Sequence, residues 1–411
     1  MNLRALFFVL ILAGERYIPS FKINLFLLLI FLVGLFFESK KTISLKVFKI
    51  IKPIILVFIL GFIGLLINDY TFEFIVKDIL YFIRPILAIL FGYFLFQQEK
   101  RKENFLLSIV YFSFLTALIH CCGILIFGKI SERISEIRGD FGLDNFVEIF
   151  AFYIIIFYEK KFKQSLIVSR VLKYLILFTL LLSIYLYFSR TMLIMFLLIG
   201  FSIFGYLTLT KNKLKYIFGL VVLVLLMYTF LYSIKLERNS KGYEALLYKI
   251  KIAPEEIFKT KINRENHKNL WDHWRGYEAK RAFALMNENP SSYVFGNGFG
   301  SLVNLKFKAP LDEKGMKKIS RLHNGYIFVL YKTGLIGLLI YFSFLFNLMR
   351  FETNKDKNEI LFSTRIIRSI GLFYLFTSLI ISGIYNPTNL ILFVLGGFLA
   401  IEKLEDKLQV N

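Results

Sequence analysis

The sequence predicts an all-α protein that crosses a membrane many times. Hydrophobic residues make up 57% of the chain and include 48 Phe, and the mean hydropathy is +0.62. They form blocks, many of them near the ~20 residues that a helix needs to cross a bilayer. An ordinary soluble domain has a lower apolar content. The chain is therefore predicted to be a polytopic integral membrane protein.

The apolar blocks predict about twelve transmembrane helices in a single membrane domain, residues 1–411. The spans are predicted at residues 5–14, 22–37, 50–67, 79–97, 104–127, 145–158, 171–188, 192–209, 213–233, 324–348, 364–383 and 388–403. The first is interpreted as a short helix, because Met1–Gly14 lacks the small-residue cleavage site of a signal peptide.

The Lys and Arg residues between the spans predict how the chain is oriented. Loops that follow even-numbered spans contain runs such as QEKRK and TKNKLK, whereas loops on the other side, such as NDYTFEFIVKD, are poorer in basic residues. Lys and Arg accumulate in cytoplasmic loops. Both termini are therefore predicted to be cytoplasmic, and most of the net charge of +22 is interpreted as topology rather than as a sign of nucleic-acid binding.

One loop is much longer than the others. Residues 235–322 lie between the ninth and tenth spans, and this topology makes them a large extracytoplasmic loop, in which short helices are predicted. The loop contains eighteen basic and ten acidic residues. The accumulation of Lys and Arg in cytoplasmic loops does not apply to long loops, so the excess of basic residues in this loop needs another explanation. The loop could bind an anionic ligand, or it could be attracted to anionic lipid headgroups.

Ionisable residues inside the spans predict a polar cavity that opens outward. Four of them fall in the outer half of the membrane by this topology: Arg84, His120, Glu148 and Lys332. Each could instead snorkel to the interface or pair with a neighbour. Because the guanidinium fork matches phosphate oxygens, Arg84, Arg138 and Arg190 together predict that a phosphate or pyrophosphate group binds near the outer surface.

Two motifs in the long loop are candidate ligand sites. A helix is predicted to start near residue 271, where Arg275, Arg281 and the aromatic residues Trp274 and Tyr277 would form a platform for sugar or phosphate. The aromatic residues could equally anchor an interfacial helix. Gly296–Gly300, GNGFG, is similar to a phosphate-cradling loop, although no strand and helix bracket it as a nucleotide fold requires.

The sequence predicts neither a metal site nor a cofactor. It contains no Walker Lys-Ser/Thr pair, no Asp-X-Asp pair and no Cys/His set at zinc spacing. Its two cysteines, Cys121 and Cys122, are adjacent within an apolar run and imply no disulfide framework.

His323 is the best candidate for acid–base chemistry. It directly precedes the tenth span, beside Asn324 and close to Arg321. An imidazole near its usual pKa of about 6.5 can take a proton from a hydroxyl at neutral pH. The alternative is an interfacial His that caps the span.

These motifs together resemble the O-antigen polymerase and O-antigen ligase superfamily. The resemblance covers roughly residues 100–345 and depends on the order and placement of loose motifs. They are RGDF at residues 138–141 followed by Asn145, SRT at 189–191, GNGFG at 296–300, HNGY at 323–326 and GLIG at 334–337. Relatives often have Glu two residues before the last motif, where this chain has Lys332, which puts an acidic role there in doubt.

The resemblance implies a metal-independent glycosyltransferase at the outer face of the bacterial cytoplasmic membrane. Its donor would be an oligosaccharide on undecaprenyl diphosphate. Arg190 with Arg275 or Arg281 would hold the pyrophosphate, and His323 would assist the acceptor hydroxyl. Arg84, Arg138, Arg321, Asn324, Trp274 and Tyr277 are the further predicted ligand-binding residues.

Four functions stay open at this point. The first choice is a polymerase that joins lipid-linked repeat units of O-antigen or capsule, and the runner-up is a ligase that moves the glycan onto lipid A-core. The chain could also be a flippase or transporter of a lipid-linked glycan, or a non-catalytic scaffold. Membrane lipids, a chain-length regulator and a flippase are the further expected partners, and nucleic acid is not.

Overall fold

The protein is a bundle of long helices, with shorter elements between the ninth and tenth of them. The computed structural model describes residues 1–39, 42–66, 68–128, 142–206, 211–258, 262, 266–310, 315–351 and 361–408. The bundle helices are α1 (Leu3–Tyr17), α2 (Phe21–Glu38), α3 (Leu45–Leu60), α4 (Phe72–Phe96), α5 (Lys102–Phe127), α6 (Val147–Phe162), α7 (Arg170–Leu186), α8 (Arg190–Ile203) and α9 (Lys211–Ser233). After the loop come α15 (Gly325–Met349), α16 (Phe362–Ile380) and α17 (Ile391–Leu408).

The long loop has secondary structure of its own. Its helices are α10 (Gly242–Lys251), α11 (Ala253–Phe258), α12 (His267–Asp272), α13 (Trp274–Glu288) and α14 (Ser292–Phe295). Two strands, β1 (Val303–Ala309) and β2 (Met316–Ile319), pair antiparallel with Val303 opposite Ile319. The sequence analysis did not anticipate the small sheet.

The all-α membrane fold class agrees with the structure, because a helix lies at each predicted span. Within the described residues, five segments are long and apolar enough to cross a bilayer: Phe21–Glu38, Leu45–Leu66 (α3 with the 3₁₀ helix Ile63–Leu66 that follows it), Phe72–Phe96, Lys102–Phe127 and Gly325–Met349. The number of crossings, the single domain and the outward placement of the loop stay predictions.

Close packing between α4 and α17 depends on glycine. A Cβ added at Gly92 would lie 2.1 Å from the Phe393 carbonyl oxygen, and one at Gly396 would lie 2.1 Å from the Ile89 carbonyl oxygen. Small residues let helices approach closely in membranes, where association depends on packing rather than on the hydrophobic effect. The backbones of α4 and α17 are therefore in close contact at both glycines.

The glycine-rich segment 296–300 fills a break in α15. Gly334 interrupts this helix with φ 69° and ψ −172°, which leaves carbonyl groups of the preceding turn without helical partners. The Asn297 amide donates to the Tyr331 carbonyl at 2.8 Å, and the Gly298 amide donates to the Lys332 carbonyl at 2.9 Å. Similarity to a phosphate-cradling loop was therefore misleading, because these amide groups bind the protein itself.

A buried ion pair joins the same segment to α4. The Lys332 ammonium lies 2.5 Å from the Asp78 carboxylate, and both side chains are 0% exposed. Asp78 also accepts from the Gly300 amide at 2.7 Å, and Lys332 donates to the Ser301 carbonyl at 2.5 Å. Lys332 thus connects the loop to the bundle.

Replacing Asp78 with Ala is expected to destabilise the protein by about 3–5 kcal/mol, because a buried ammonium is left without its partner. Thermal unfolding in detergent measures the effect. Glu73→Ala removes an exposed carboxylate from the same helix and is expected to change little. Asp78→Leu combined with Lys332→Met is expected to recover much of the loss. A wild-type unfolding temperature for Asp78→Ala would show that the pair contributes nothing.

Candidate active site

A cavity of about 580 Å³ lies between the start of α8 and the helices of the long loop. Arg190 and Arg275, two of the three predicted catalytic residues, both line it. The other charged residues of its lining are Asp144, Arg238, Lys249, Glu256 and Asp272. The structure therefore brings together two arginines that are 85 positions apart in the numbering of the chain.

The corner between α7 and α8 presents Arg190 to this cavity. Ser189 is the N-cap of α8, and its hydroxyl accepts from the Met192 amide and donates to Asp144 at 2.7 Å. Phe188 takes the left-handed conformation with φ 45°, which turns the chain sharply. Arg190 is the first residue of α8, so its backbone position is set by the cap.

Arg275 is held by the first turn of α13. Its Nε donates to the Ile380 carbonyl, at the end of α16, at 2.7 Å. Burial lowers the pKa of Arg275, and the neighbouring Glu256 carboxylate opposes that change. The guanidinium is thus fixed at the junction of loop and bundle, with its Nη1 directed to Glu256 at 2.7 Å.

Glu256 joins the two arginines. Its Oε2 accepts from Arg275 and also forms a short ion pair with Arg190. The carboxylate belongs to α11 and its side chain is 12% exposed. The two arginines therefore converge on one anionic oxygen, which is the position that an oxygen of an anionic ligand would take.

A second carboxylate holds His323. The Glu278 side chain is 2% exposed, and it lies 2.9 Å from Nδ1 of His323, whose own side chain is 48% exposed. Glu278 also accepts from the backbone amide of His323 at 2.9 Å. A carboxylate at Nδ1 selects the tautomer in which Nε2 has a free lone pair. His323 is thus arranged to accept a proton at Nε2.

Helix α13 connects the two groups. Arg275 and Glu278 are three residues apart, and residues at this spacing are neighbours on one face of a helix. The Glu278 carboxylate is also close enough to Arg275 to act on its charge. His323 is bound to Glu278 and is thus linked through α13 to Arg275, whereas His323 itself is not among the residues that line the cavity.

Sequence reasoning missed both carboxylates. The spacing of Glu278 from Arg275 was a usable signal, because it places the two on one helical face. Nothing in the sequence pointed to Glu256, which is 66 residues from Arg190. The pair of Arg238 and Asp272, with distances of 3.0 and 2.8 Å from Nε to the two carboxylate oxygens, was missed in the same way.

Three predicted ligand-binding arginines lie outside the lining of the cavity. Arg84 is paired with Glu15 at 2.7 Å, and its side chain is 3% exposed. Arg281 donates from Nε to the Asn304 carbonyl at 2.8 Å. Arg321 lies 5.4 Å from the centre of the Tyr81 ring, and burial lowers its pKa. Their roles in binding stay predictions.

The remaining predicted residues have structural contacts. Asn324 is the N-cap of α15 and accepts from the amides of Tyr326 and Ile327. Trp274 and Tyr277 are buried, and the Tyr277 hydroxyl donates to the Leu305 carbonyl at 2.6 Å. An open aromatic platform is therefore not what these two form. Arg138 lies outside the described residues.

The expected outward cavity around the charges within the spans is wrong. Glu148 is 0% exposed and accepts from Ser183 at 2.6 Å and Tyr187 at 3.0 Å. Arg84 and Lys332 have buried partners, as described above. Burying an unpaired charge is costly. Arg84 and Lys332 are each paired with a carboxylate of another helix, whereas Glu148 is held by hydroxyl and amide groups. For Arg84 and Lys332 the structure therefore contains the ion pairs that were the alternative interpretation, and His120 contacts the Ser183 hydroxyl at 2.9 Å.

One comparison with known protein families finds a match, and it covers most of the residues of this site. Residues 175–342 match the model of the family described as O-antigen ligase. The matched range includes both arginines, both carboxylates and His323. It confirms the resemblance to the O-antigen polymerase and ligase superfamily, whose members are membrane glycosyltransferase-like enzymes. The chain matches no curated protein and no solved structure.

Proposed function

From the match of residues 175–342 to the O-antigen ligase family, we propose that the chain is a polysaccharide polymerase. It transfers a glycan from undecaprenyl diphosphate to the next lipid-linked repeat unit of O-antigen or capsule. The reaction takes place at the outer face of the bacterial cytoplasmic membrane, and both termini of the chain are cytoplasmic. The observation that supports this most is the convergence of Arg190 and Arg275 on one anionic oxygen in an open cavity.

The arginines would stabilise the leaving group. During transfer, the bond between the anomeric carbon and the diphosphate oxygen breaks, and the electron pair stays with the lipid diphosphate. Guanidinium groups fixed in advance stabilise such developing charge without reorganisation. Arg190 is fixed by a capped helix start, and Arg275 by its bond to Ile380, so both meet this condition. In this proposal the arginines supply the positive charge, and the reaction is metal-independent.

His323 would activate the acceptor. An acceptor hydroxyl attacks the anomeric carbon, and its proton moves to Nε2 of His323. The imidazole is then charged, and the Glu278 carboxylate at Nδ1 stabilises it. Because the acceptor of a polymerase is itself lipid-linked, both reactants approach from the membrane surface. A site at the start of the apolar helix α15 suits that geometry.

Replacing Glu278 with Gln tests the histidine arrangement. The amide can donate as well as accept, so it no longer selects the tautomer with a free lone pair at Nε2. We expect kcat to fall about tenfold or more while KM for the donor stays unchanged, because the lost interaction strengthens only in the transition state. Glu288→Gln, at the exposed end of the same helix, is the matched control. A wild-type kcat for Glu278→Gln would remove Glu278 from the mechanism.

A ligase is the second candidate, because the family that residues 175–342 match is described as O-antigen ligase. A ligase would use the same donor and the same arginines but would transfer the glycan to lipid A-core. The two functions differ in the acceptor alone. Because the donor and the arginines would be the same, the reaction product has to show which acceptor is used.

The product of the purified protein distinguishes the functions. The protein is reconstituted with polyprenyl-diphosphate-linked repeat units, and the glycans are separated by length. A ladder of longer glycans is the expected result. Transfer to added lipid A-core without a ladder would identify a ligase. Neither product, together with movement of the substrate across the liposome membrane, would overturn the enzyme proposal in favour of a transporter.

A further inference from the structure

The Glu256 carboxylate occupies the place between the two arginines. It belongs to the short helix α11, and one oxygen accepts from both guanidinium groups. Each arginine has one further bond to a backbone carbonyl, from Arg190 to Lys249 and from Arg275 to Ile380. The guanidiniums are thus held independently of Glu256. The carboxylate can leave without releasing them.

The arrangement leaves positive charge in surplus. The charged side chains that line the cavity are four basic ones (Arg190, Arg238, Lys249 and Arg275) and three acidic ones (Asp144, Glu256 and Asp272), so the lining carries a net charge of +1. Arg238 is paired with Asp272 within this lining. A ligand with one negative charge would only replace the charge of Glu256. A ligand with two or more would neutralise the surplus, and its binding would be favoured by that difference.

A membrane surface contains many anionic groups that fit an arginine pair. Phospholipid headgroups such as phosphatidylglycerol carry a single negative charge on a phosphodiester, and basic protein surfaces attract them. A lipid-linked donor carries one charge on each of its two phosphates. A vacant arginine pair would bind both kinds of phosphate, and the abundant headgroup would compete with the donor.

We infer that Glu256 is a specificity-determining residue. Its carboxylate prevents phosphodiester headgroups from binding to the arginine pair, and a diphosphate can displace it. The inference rests on the proposed function, because it takes the arginine pair as the diphosphate site. Glu256 is tethered to the protein, so its effective concentration at the arginines is high and a monoanion gains nothing by replacing it. A diphosphate displaces it because the exchange adds negative charge. Only a ligand with two or more negative charges is therefore expected to displace Glu256 and bind to the arginine pair.

Binding of inorganic pyrophosphate in bilayers of two compositions tests this. The wild-type protein and Glu256→Gln are placed in nanodiscs of phosphatidylcholine alone or mixed equally with phosphatidylglycerol, and the dissociation constant is measured by calorimetry. In the neutral bilayer, Glu256→Gln is expected to bind pyrophosphate about tenfold more tightly, because no internal anion competes. In the anionic bilayer that gain is expected to disappear, whereas the wild-type affinity changes little.

Glu255→Gln is the matched control. It removes a charge from the neighbouring position of α11, where the side chain is 48% exposed and lies outside the cavity lining. It reports how the surface charge of the bilayer alone changes pyrophosphate binding, and the Glu256→Gln values are compared with it. If Glu256→Gln does not fold, Glu256→Asp is used instead. Its side chain is one methylene shorter, so the carboxylate lies farther from the arginines and pyrophosphate is expected to bind more tightly than to the wild type, by a smaller factor than in Glu256→Gln.

Two results would overturn the inference. Weaker pyrophosphate binding by Glu256→Gln in the neutral bilayer would show that Glu256 holds the arginines in place. Tighter binding that is equal in both bilayers would show that it does not exclude headgroups. The proposed function fails by a different result, namely that Arg190→Ala binds pyrophosphate as well as the wild type.

Discussion

Replacing Arg190 with Ala is expected to reduce the rate of glycan transfer about a hundredfold, the effect of removing one well-placed donor at a developing negative charge. The variant keeps the N-cap, because the capping hydroxyl belongs to Ser189. Its level in the membrane and its unfolding temperature are therefore expected to stay normal. Steady-state rates with a lipid-linked donor measure the effect, and kcat and kcat/KM should both fall.

Two further variants separate charge from geometry at this position. Arg190→Lys keeps the charge but loses the guanidinium fork, so an intermediate rate is expected. Arg238→Ala removes an arginine from the same cavity, and a much smaller loss is expected because Arg238 is already paired with Asp272. Wild-type chain lengths from Arg190→Ala would exclude Arg190 from the mechanism.

Replacing His323 with Ala is expected to reduce kcat by about 10²–10⁴-fold, the contribution of a positioned general base. KM for the donor should change little, since the arginine pair that binds the diphosphate is retained. The start of α15 should also be retained, because Asn324 supplies its cap. Chain elongation in reconstituted membranes measures the loss.

Added imidazole distinguishes chemistry from structure at this position. If the ring only accepts a proton, imidazole in solution should restore part of the rate of His323→Ala and none of that of Arg190→Ala. Glycan ladders of wild-type length from His323→Ala would leave a scaffold role for the residue and would contradict the proposed acid–base step.

Most of the fold could be predicted from the sequence because apolar blocks of membrane-spanning length show directly where helices form. Within the described residues a helix lies at every predicted span. The break in α15 was not predicted. Gly334 indicates a special backbone conformation only together with the segment that fills the break, and Asn297 of that segment is 34 residues from its partner Tyr331.

Only the arginines and the histidine of the candidate site could be predicted from the sequence, and their carboxylate partners could not. Arg190, Arg275 and His323 follow from residue chemistry and from the family resemblance. Their carboxylate partners depend on contacts across 66 residues for Glu256 and 45 for Glu278, and no local pattern specifies such contacts.

The same reason explains the mistaken outward cavity. Arg84 and Lys332 were considered without Glu15 and Asp78, which are 69 and 254 residues away. An ionisable side chain within a span has to be neutralised. Its partner in a helical bundle is commonly on another helix, and sequence alone does not identify that helix. The charges within the spans were therefore expected to line an outward cavity, whereas Arg84 and Lys332 bind buried carboxylates of other helices.

An experimental structure of the protein with bound undecaprenyl diphosphate tests the central claim most directly. The account predicts density for the diphosphate between the guanidiniums of Arg190 and Arg275. It also predicts that the Glu256 carboxylate has moved away from both and that His323 stays bound to Glu278 beside the ligand. A diphosphate bound elsewhere, with Glu256 still between the two arginines, would contradict the account.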